Sequence, residues 1–476
     1  VAVDYDLIVI GGGSAGLVAA SAGAQLKAKV ALIEREGKLG GDCLHYGCVP
    51  SKSLIHAARV AHTVRQGYRF GVHTDPPQIN LREALGHVHR VIDTIQEHDS
   101  VERFESLGVE VIFGEGQFVD GRTFAVNGRT LKARAFLIAT GSRPATLPIP
   151  GLQEAGYLTN LNIFQLQTQP ASLAVIGAGP IGVELGQSFA RLGTEVTLIC
   201  SSDIILSKED PEAAQVVQRQ MEADGVRILT GHRAEKVAVI DGKKHLWAGD
   251  QELVVDEILL SAGQVPNVEA LNLQAAGVEV GKKGICVNAK LQTTNPRIYA
   301  AGDVIGGYQF THVAGSEAAV ALQNALVFPF KKMNYRVIPW ATFTDPELAR
   351  VGLSEAEARQ QYSDVQVLKQ EFAEVDRALA EAAGYGFAKI ITRSNGEILG
   401  AHIVGPTAGE IIHEVVLAMT QKLKVDALKS MIHIYPTLAE INSKAALQLT
   451  KQKYAKNTKL RGLLRKIFSL LRSLAS

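Results

Sequence analysis

Two stretches of this chain repeat one pattern: an apolar run, a glycine-rich turn, a helix-forming run of small residues and a second apolar run. The first reads Leu7-Ile8-Val9-Ile10, then Gly11-Gly12-Gly13-Ser14-Ala15-Gly16, with a strand from Lys29 to Ile33 ending at Glu34. The second reads Leu173-Ala174-Val175-Ile176, then Gly177-Ala178-Gly179-Pro180-Ile181-Gly182, with a strand from Glu195 to Ile199. Such a unit predicts strand, turn, helix and parallel strand around a dinucleotide. Gly11 permits the tight turn, Gly13 lets a pyrophosphate reach the backbone, and Gly16 lets the helix pack on the sheet. Gly177, Gly179 and Gly182 repeat that order. Glu34, about 20 residues beyond its turn, is placed to take two ribose hydroxyls. Two fingerprints predict two dinucleotide sites.

The first fingerprint is followed by Gly40-Gly41-Asp42-Cys43-Leu44-His45-Tyr46-Gly47-Cys48-Val49-Pro50-Ser51-Lys52. An ideal helix would separate the two cysteines by about 7.5 Å along its axis. A disulfide needs Cα atoms within roughly 7 Å. The segment is therefore expected to be irregular, with Gly47 supplying the bend. Pro50 suits the first turn of the helix that follows. Cys48 then lies near a helix N-terminus, which favours a thiolate. A dithiol beside a nucleotide-type cofactor reads as a redox relay, from a nicotinamide through a flavin to sulfur. The alternatives are a structural disulfide or a metal pair. Zinc needs more ligands, and Cys200 and Cys286 sit in unrelated contexts.

The 476 residues suit about three domains. The formal net charge of +1 gives no reason to expect nucleic acid. Four cysteines are too few for a secreted disulfide scaffold. No signal peptide is read before the first strand, and no apolar run reaches the ~20 residues of a membrane span. A reducing, cytoplasmic setting is expected. His87, His89 and His98 read as a solvated helix face, and no metal site is expected. Modules are drawn at 1–150, 151–270, 271–336 and 337–455, with a tail over 456–476. Helical periodicity runs from about Ile55 to Leu107, and the module from 337 mixes strands with helices.

Together these residues resemble the pyridine nucleotide-disulfide oxidoreductases, whose members include mercuric reductase, dihydrolipoamide dehydrogenase and glutathione reductase. The resemblance runs from Tyr5 to about Lys451. It implies an α/β fold: two Rossmann-like domains, for FAD (1–150) and for NADH or NADPH (151–270), and an α+β dimerisation domain. Residues 271–336 would complete the FAD site, and the enzyme would be a homodimer. By match, Cys48 is the sulfur against the flavin and Cys43 the sulfur that meets substrate. Lys52 lies near the flavin, with Glu184 as its partner. Thr140, Gly141, Asp303, His312 and Ala314 match positions around the flavin.

Departures from the pattern bear on substrate. In the lipoamide and glutathione enzymes a His precedes Pro-Thr and acts as acid–base, oriented by a Glu. Here the segment is His433-Ile434-Tyr435-Pro436-Thr437-Leu438-Ala439-Glu440. Tyr435 occupies the base position, and a free Tyr titrates near ~10. Mercuric reductase also carries Tyr there, so a metal ion or other non-dithiol acceptor is expected. Dihydrolipoamide oxidation is the alternative, with His433 as base; in either case Tyr435 and Glu440 of one chain are expected to face Cys43 of the other, with Glu440 able to accept from Tyr435 or His433. The chain ends without the cysteine pair of mercuric reductases, which weighs against mercury. A slowly turning flavin sensor is a third reading. After the second nucleotide strand come Cys200-Ser201-Ser202-Asp203, with neither the acid of NADH enzymes nor the Arg of NADPH enzymes. Ser201 and Ser202 would meet the nucleotide, and the choice stays open.

The tail carries Lys451, Lys453, Lys456, Lys459, Arg461, Arg465, Lys466 and Arg472 and no acid. Leu460, Leu463, Leu464, Ile467, Leu470, Leu471 and Leu474 share one helical face. Two readings stand: peripheral contact with an anionic membrane, or packing on this protein.

Overall fold

The computed structural model describes residues 3–475. Residues 1–2 of the expected first module and Ser476 of the expected tail lie outside the described residues. The chain forms two compact units, residues 1–202 with 224–334, and residues 203–223 with 335–476.

In the first unit, β1 (Tyr5–Ile10) and β2 (Val30–Glu34) are parallel, from Leu7↔Val30 to Ile10↔Ile33, and α1 (Ser14–Gln25) joins them. Val109–Phe113 extends the sheet beyond β2, and Arg129–Ile138 lies beside β1. β1 and β2 are apolar at nearly every position because both faces are covered. Leu7, Val9 and Leu32 pack with Ala15, Leu17 and Ala318. Ile8, Ile10 and Ile33 point the other way, into Phe118, Phe124 and Phe136. Of the expected module 271–336, residues 271–334 are built into this unit, and Tyr335 and Arg336 group with the second. The module's strand Ile298–Ala300 pairs with Phe136–Ile138, and its helix Thr311–Leu326 packs on α1.

The dithiol segment forms α2 (Gly41–His45) and α3 (Cys48–Gln66). The helical stretch expected from Ile55 to Leu107 is made of three helices: α3, Leu81–Gln96 and Val101–Ser106. Pro76-Pro77 falls in the irregular stretch after α3, where proline supplies no N–H and restricts the residue before it. The second fingerprint forms β3 (Ser172–Ile176), α4 (Pro180–Arg191) and β4 (Glu195–Cys200). The order Arg227–Thr230, β4, β3, Glu257–Leu260 is parallel throughout.

The second unit is an antiparallel sheet ordered Pro339–Thr342, Glu347–Gly352, Ile398–Gly405, Phe387–Arg393, Val365–Glu371. Alternation divides its faces. Ala349, Val351, Ile390 and Ile403 pack against Ile411, Val415, Ala445 and Leu449. Arg350, His402 and Lys389 form a buried row on the other face, opposite one another in register. Helix α5 (Pro211–Ala223) and the residues before it meet this row. Lys389 pairs with Asp210 at 2.9 Å, Arg350 donates to the Lys208 carbonyl at 2.7 Å, and Trp340 donates to Glu209 at 2.8 Å. Thus α5, expected inside module 151–270, groups with the second unit because its leading residues neutralise buried cations there.

Burial works against ionisation of Asp210, yet the Lys389 ammonium holds its carboxyl below the usual range. Burial and the Arg350 charge push His402 down to about 3. Removing Asp210 strips a carboxylate from a buried ammonium. Asp210→Ala should therefore cost about 3 kcal/mol of stability in denaturant melts. His402 sets the sign of a pH effect. Unfolded, it takes up a proton near ~6.5; folded, only near 3. Stability should decline as pH falls through that window, and His402→Met should flatten the decline.

Candidate active site

The site is assembled from close backbone approaches. Gly11 has φ +109°, and a Cβ there would lie 2.3 Å from the Ala139 carbonyl oxygen. A Cβ on Gly16 would lie 1.8 Å from the Gly11 carbonyl oxygen. Gly41 has φ +61°, and its Cβ would fall 2.6 Å from the Gly13 Cα. The glycine turn and the start of α2 therefore touch backbone to backbone. That contact sets the start of α2, which carries Cys43, against the turn. Gly47, with φ −115° and ψ −109°, lies outside the helical and extended regions and makes the expected bend between α2 and α3; a Cβ there would also press to 2.8 Å from Asp42 Oδ2.

Glu34, buried at the end of β2, accepts from Gly12 N at 2.6 Å and Glu36 N at 2.8 Å. Among the described residues no side chain caps α1 or α4. Their first-turn N–H groups suit a phosphate. Gly179 has open space around its Cα, whereas Gly177 and Gly182 are closed by Ser261 and by each other's turn. Ser201 is exposed at the end of β4, and the Ser202 carbonyl accepts from Gly231 N at 3.0 Å.

The two sulfurs are electrostatically unlike. Cys48 is the first residue of α3. Its thiol is lowered to about 6, first by the hydrogen bond from Cys43 and then, against burial, by Thr311 and Lys52. Cys48 Sγ lies 3.5 Å from Thr311 Oγ1. The Cys43 thiol is raised by donating that hydrogen bond and by burial. Lys52 Nζ sits 2.8 Å from Glu184 Oε2, and Glu184 is buried. At neutral pH the pair is a thiolate beside a thiol.

Around them, the Thr140 hydroxyl donates to the Asn267 carbonyl at 2.7 Å, and Asn267 N donates to the Gly141 carbonyl at 3.0 Å. Ser142 donates to Asp303 at 2.7 Å, and burial raises the Asp303 carboxyl. Ala314 packs near Gly302, and the His312 ring stacks on Phe310 with centroids 5.6 Å apart.

Sequence reasoning passed over several residues here. Asn160 holds Asp42 at 3.0 Å, and loss of solvent, then the Asp303 and Cys48 charges, push Asp42 up to about 6. Glu317, fully buried, accepts from Gly302 N at 2.7 Å and fixes the turn before Asp303. A lone charged residue within the small and apolar run Val313–Leu322 was its signal.

In the second unit, Tyr435 is exposed and donates to Asp376 at 2.9 Å. That hydrogen bond, then the Asp376 charge, raises its pKa. His433 Nε2 lies 3.2 Å from Glu414, which also accepts from Asn442 at 2.9 Å. Glu440, expected to orient one of these two, instead accepts from Thr437 N at 3.4 Å. As the first residue of the helix Glu440–Lys456, it is drawn to N–H groups that lack helical partners.

Two dinucleotide folds, a dithiol between them and a separate α+β unit define a nicotinamide- and flavin-dependent disulfide oxidoreductase. The chain belongs to the pyridine nucleotide-disulphide oxidoreductase family: the family model matches residues 5–318, and its dimerisation-domain model matches 338–446. The family uses FAD and NAD(P)H, and the dimerisation domain supports a homodimer. Among relatives, the mercuric reductase of Staphylococcus aureus is 37% identical over 455 residues, 94% of this chain and 83% of that protein. The dihydrolipoyl dehydrogenase of Chlamydia pneumoniae is 34% identical over 454 residues, 94% of this chain and 97% of that protein. Among solved structures, the Cu(II) complex of the HOCl-induced flavoprotein disulfide reductase RclA from Escherichia coli superposes with a TM-score of 0.83. It is 27% identical, covering 92% of this chain and 98% of that one.

The Cys48 thiolate gives a direct test. Alkylation of the reduced protein by iodoacetamide should rise with pH through a midpoint near 6. Thr311→Val removes a hydrogen bond to a charged sulfur, worth about 1.5 kcal/mol, and should move the midpoint up by about one unit. Because the folded value is depressed, the thiolate's contribution to stability is full above ~8.5 and is lost as pH falls through 6.

Proposed function

We propose that this enzyme passes two electrons from NAD(P)H to a thiol-reactive metal ion or another acceptor that is not a dithiol. The observation that carries this reading is Tyr435. It stands at the acid–base position, and its hydroxyl is donated to Asp376, which raises its pKa further. Oxidising a dithiol needs a base at neutral pH, and such a tyrosine is a poor one. A metal ion brings no thiol proton of its own to be removed; only the Cys43 proton leaves, as the disulfide re-forms. The mercuric reductases among the relatives, and the Cu(II) complex formed by the flavoprotein disulfide reductase RclA, support the same reading.

In this account Gly11, Gly13, Gly16, Glu34, Thr140, Gly141, Asp303, His312 and Ala314 would hold FAD. Gly177, Gly179, Gly182, Ser201 and Ser202 would hold NADH or NADPH. Bound FAD supplies two-electron transfer between nicotinamide and sulfur. Cys48 is the thiolate stabilised by Thr311 and Lys52, and Glu184 positions Lys52. Cys43 keeps its proton until an acceptor is engaged. Overall, NAD(P)H is oxidised to NAD(P)⁺ with release of a proton, and its two electrons reduce one mercuric ion to the metal or two cupric ions to cuprous.

A second reading, NAD-dependent oxidation of dihydrolipoamide, is favoured by the His433–Glu414 pair. A carboxylate that orients an imidazole is what a thiol-deprotonating base needs. Relatives named dihydrolipoyl dehydrogenase support it too.

Anaerobic titration of the holoenzyme with NADH, NADPH, dihydrolipoamide, mercuric ion and cupric ion, followed by the flavin spectrum, separates the two. NAD(P)H should reduce the flavin and a metal ion should reoxidise it. Dihydrolipoamide should reduce it slowly at pH 7, and Tyr435→His should speed that step about tenfold or more. Rapid reduction of the unaltered enzyme by dihydrolipoamide at neutral pH would overturn the proposal.

The acid–base segment of one chain is further proposed to serve the dithiol of its partner. Mixing a Cys43→Ser chain with a His433→Ala, Tyr435→Phe chain should then restore part of the activity lost by either homodimer. An active monomer, stable to dilution, would count against this.

A further inference from the structure

The last helix, Thr458–Leu474, plays no part in the chemistry above and lies beyond residue 446, where the dimerisation-domain match ends. At about 100° per residue, its apolar side chains Leu460, Leu463, Leu464, Ile467, Phe468, Leu470, Leu471 and Leu474 fill an arc of about 160°. That is wider than the ~100° stripe by which a surface helix docks on its own core. Of these residues, all but Leu464 are between 40 and 74% exposed, and none of the helix is buried. The face is therefore uncovered within the chain.

The positions beside that arc are as ordered as the arc itself. Arg461, Arg465 and Arg472 line one border, and Lys459 and Lys466 line the other. The pole opposite the apolar arc holds Thr458, Gly462, Ser469 and Ser473. Long cations at the two borders can lay their methylenes along an apolar surface and raise their charges to the phosphate level. Lys451, Lys453 and Lys456 precede them in the same acid-free stretch, and Lys453 and Lys456 fall in the last turn of the preceding helix. No helix among the described residues is long and apolar enough to cross a membrane. Leu460 to Leu474 spans only about 21 Å.

We infer that residues 458–474 dock this enzyme on an anionic lipid surface, the helix axis lying in the plane of the headgroups. The apolar arc enters the acyl boundary, and the bordering cations pair with lipid phosphates. Nucleic acid would match the cations but leave the leucines in water. A homodimer carries two such helices, so one docked helix raises the effective concentration of the other and attachment strengthens without any new contact.

The test is co-sedimentation of the FAD-loaded enzyme with vesicles of equimolar phosphatidylcholine and phosphatidylglycerol, and with phosphatidylcholine alone. Full-length protein should sediment with the anionic vesicles. Binding should fall about tenfold or more on neutral vesicles, or when salt rises from about 0.1 to about 0.5 M. Deletion of 458–476 should abolish it while leaving NAD(P)H-dependent turnover unchanged. Ile467→Asp with Leu471→Asp should abolish binding, and Lys466→Glu with Arg472→Glu should weaken it. Equal sedimentation of full-length and truncated enzyme would overturn the inference. So would loss of the dimer on truncation, read by light scattering, with no vesicle binding by the full chain; the face would then be a seam between two copies of this chain.

Discussion

The chemistry of this protein depends on backbone touching backbone. A redox sulfur beside a nucleotide must be placed to within a fraction of an ångström, and side chains are too compliant to set that distance. Here the Gly13 and Gly41 backbones meet, Gly16 closes on the Gly11 carbonyl, and Gly11 closes on Ala139. Each contact excludes a Cβ, so the turn after β1, the start of α2 and the end of the strand Arg129–Ile138 are held as one rigid piece. Cys43 inherits its position from that piece. Cys48 inherits its own from α3, whose start is closed by Gly47 against Asp42.

Rigid placement alone would leave two equivalent thiols. The difference between them comes from what each faces. Cys48 receives a hydrogen bond from Cys43, another from Thr311, and the field of Lys52. Cys43 gives its hydrogen bond away and loses solvent. Lys52 stays where it acts because Glu184 is buried and only a cation can compensate its charge there. Glu184 lies on α4, in the second fingerprint, so the second nucleotide fold holds the cation that tunes the sulfur beside the first. The two folds are thus coupled by charge as well as by chain.

Much of this was legible because its signals are local. The glycine turns, Glu34 and the two cysteines are fixed by short spacings whose physical reasons do not depend on the rest of the chain. The Lys52–Glu184 pair came through family resemblance, since 132 residues separate its members and no periodicity links them. Contacts set by tertiary packing escaped. Asn160 on Asp42, Asn267 on Thr140 and Glu317 on Gly302 N are single polar residues whose partners are distant or backbone. The irregular stretch after α3 was readable from Pro76-Pro77, but helical periodicity on both sides masked it. The grouping of α5 with the second unit was not readable, because Asp210 looks like any polar residue until Lys389, 179 residues on, is seen beneath it.

The segment 433–440 shows why spacing that holds in a family need not hold in one member. A histidine and a glutamate at a set interval orient each other only if the loop between them keeps its shape. Here tyrosine takes the histidine's place, and its longer side chain carries the hydroxyl to Asp376, 59 residues away, while His433 turns to Glu414. Glu440 begins a helix and is occupied by the backbone N–H of Thr437. The carboxylates that now orient these two side chains come from different elements. Asp376 makes Tyr435 a weaker acid and keeps its proton in place, whereas Glu414 fixes the orientation of the His433 ring. With its two polar side chains held by carboxylates from different elements, the segment lacks the single oriented pair that a histidine and a glutamate at the family's interval would form.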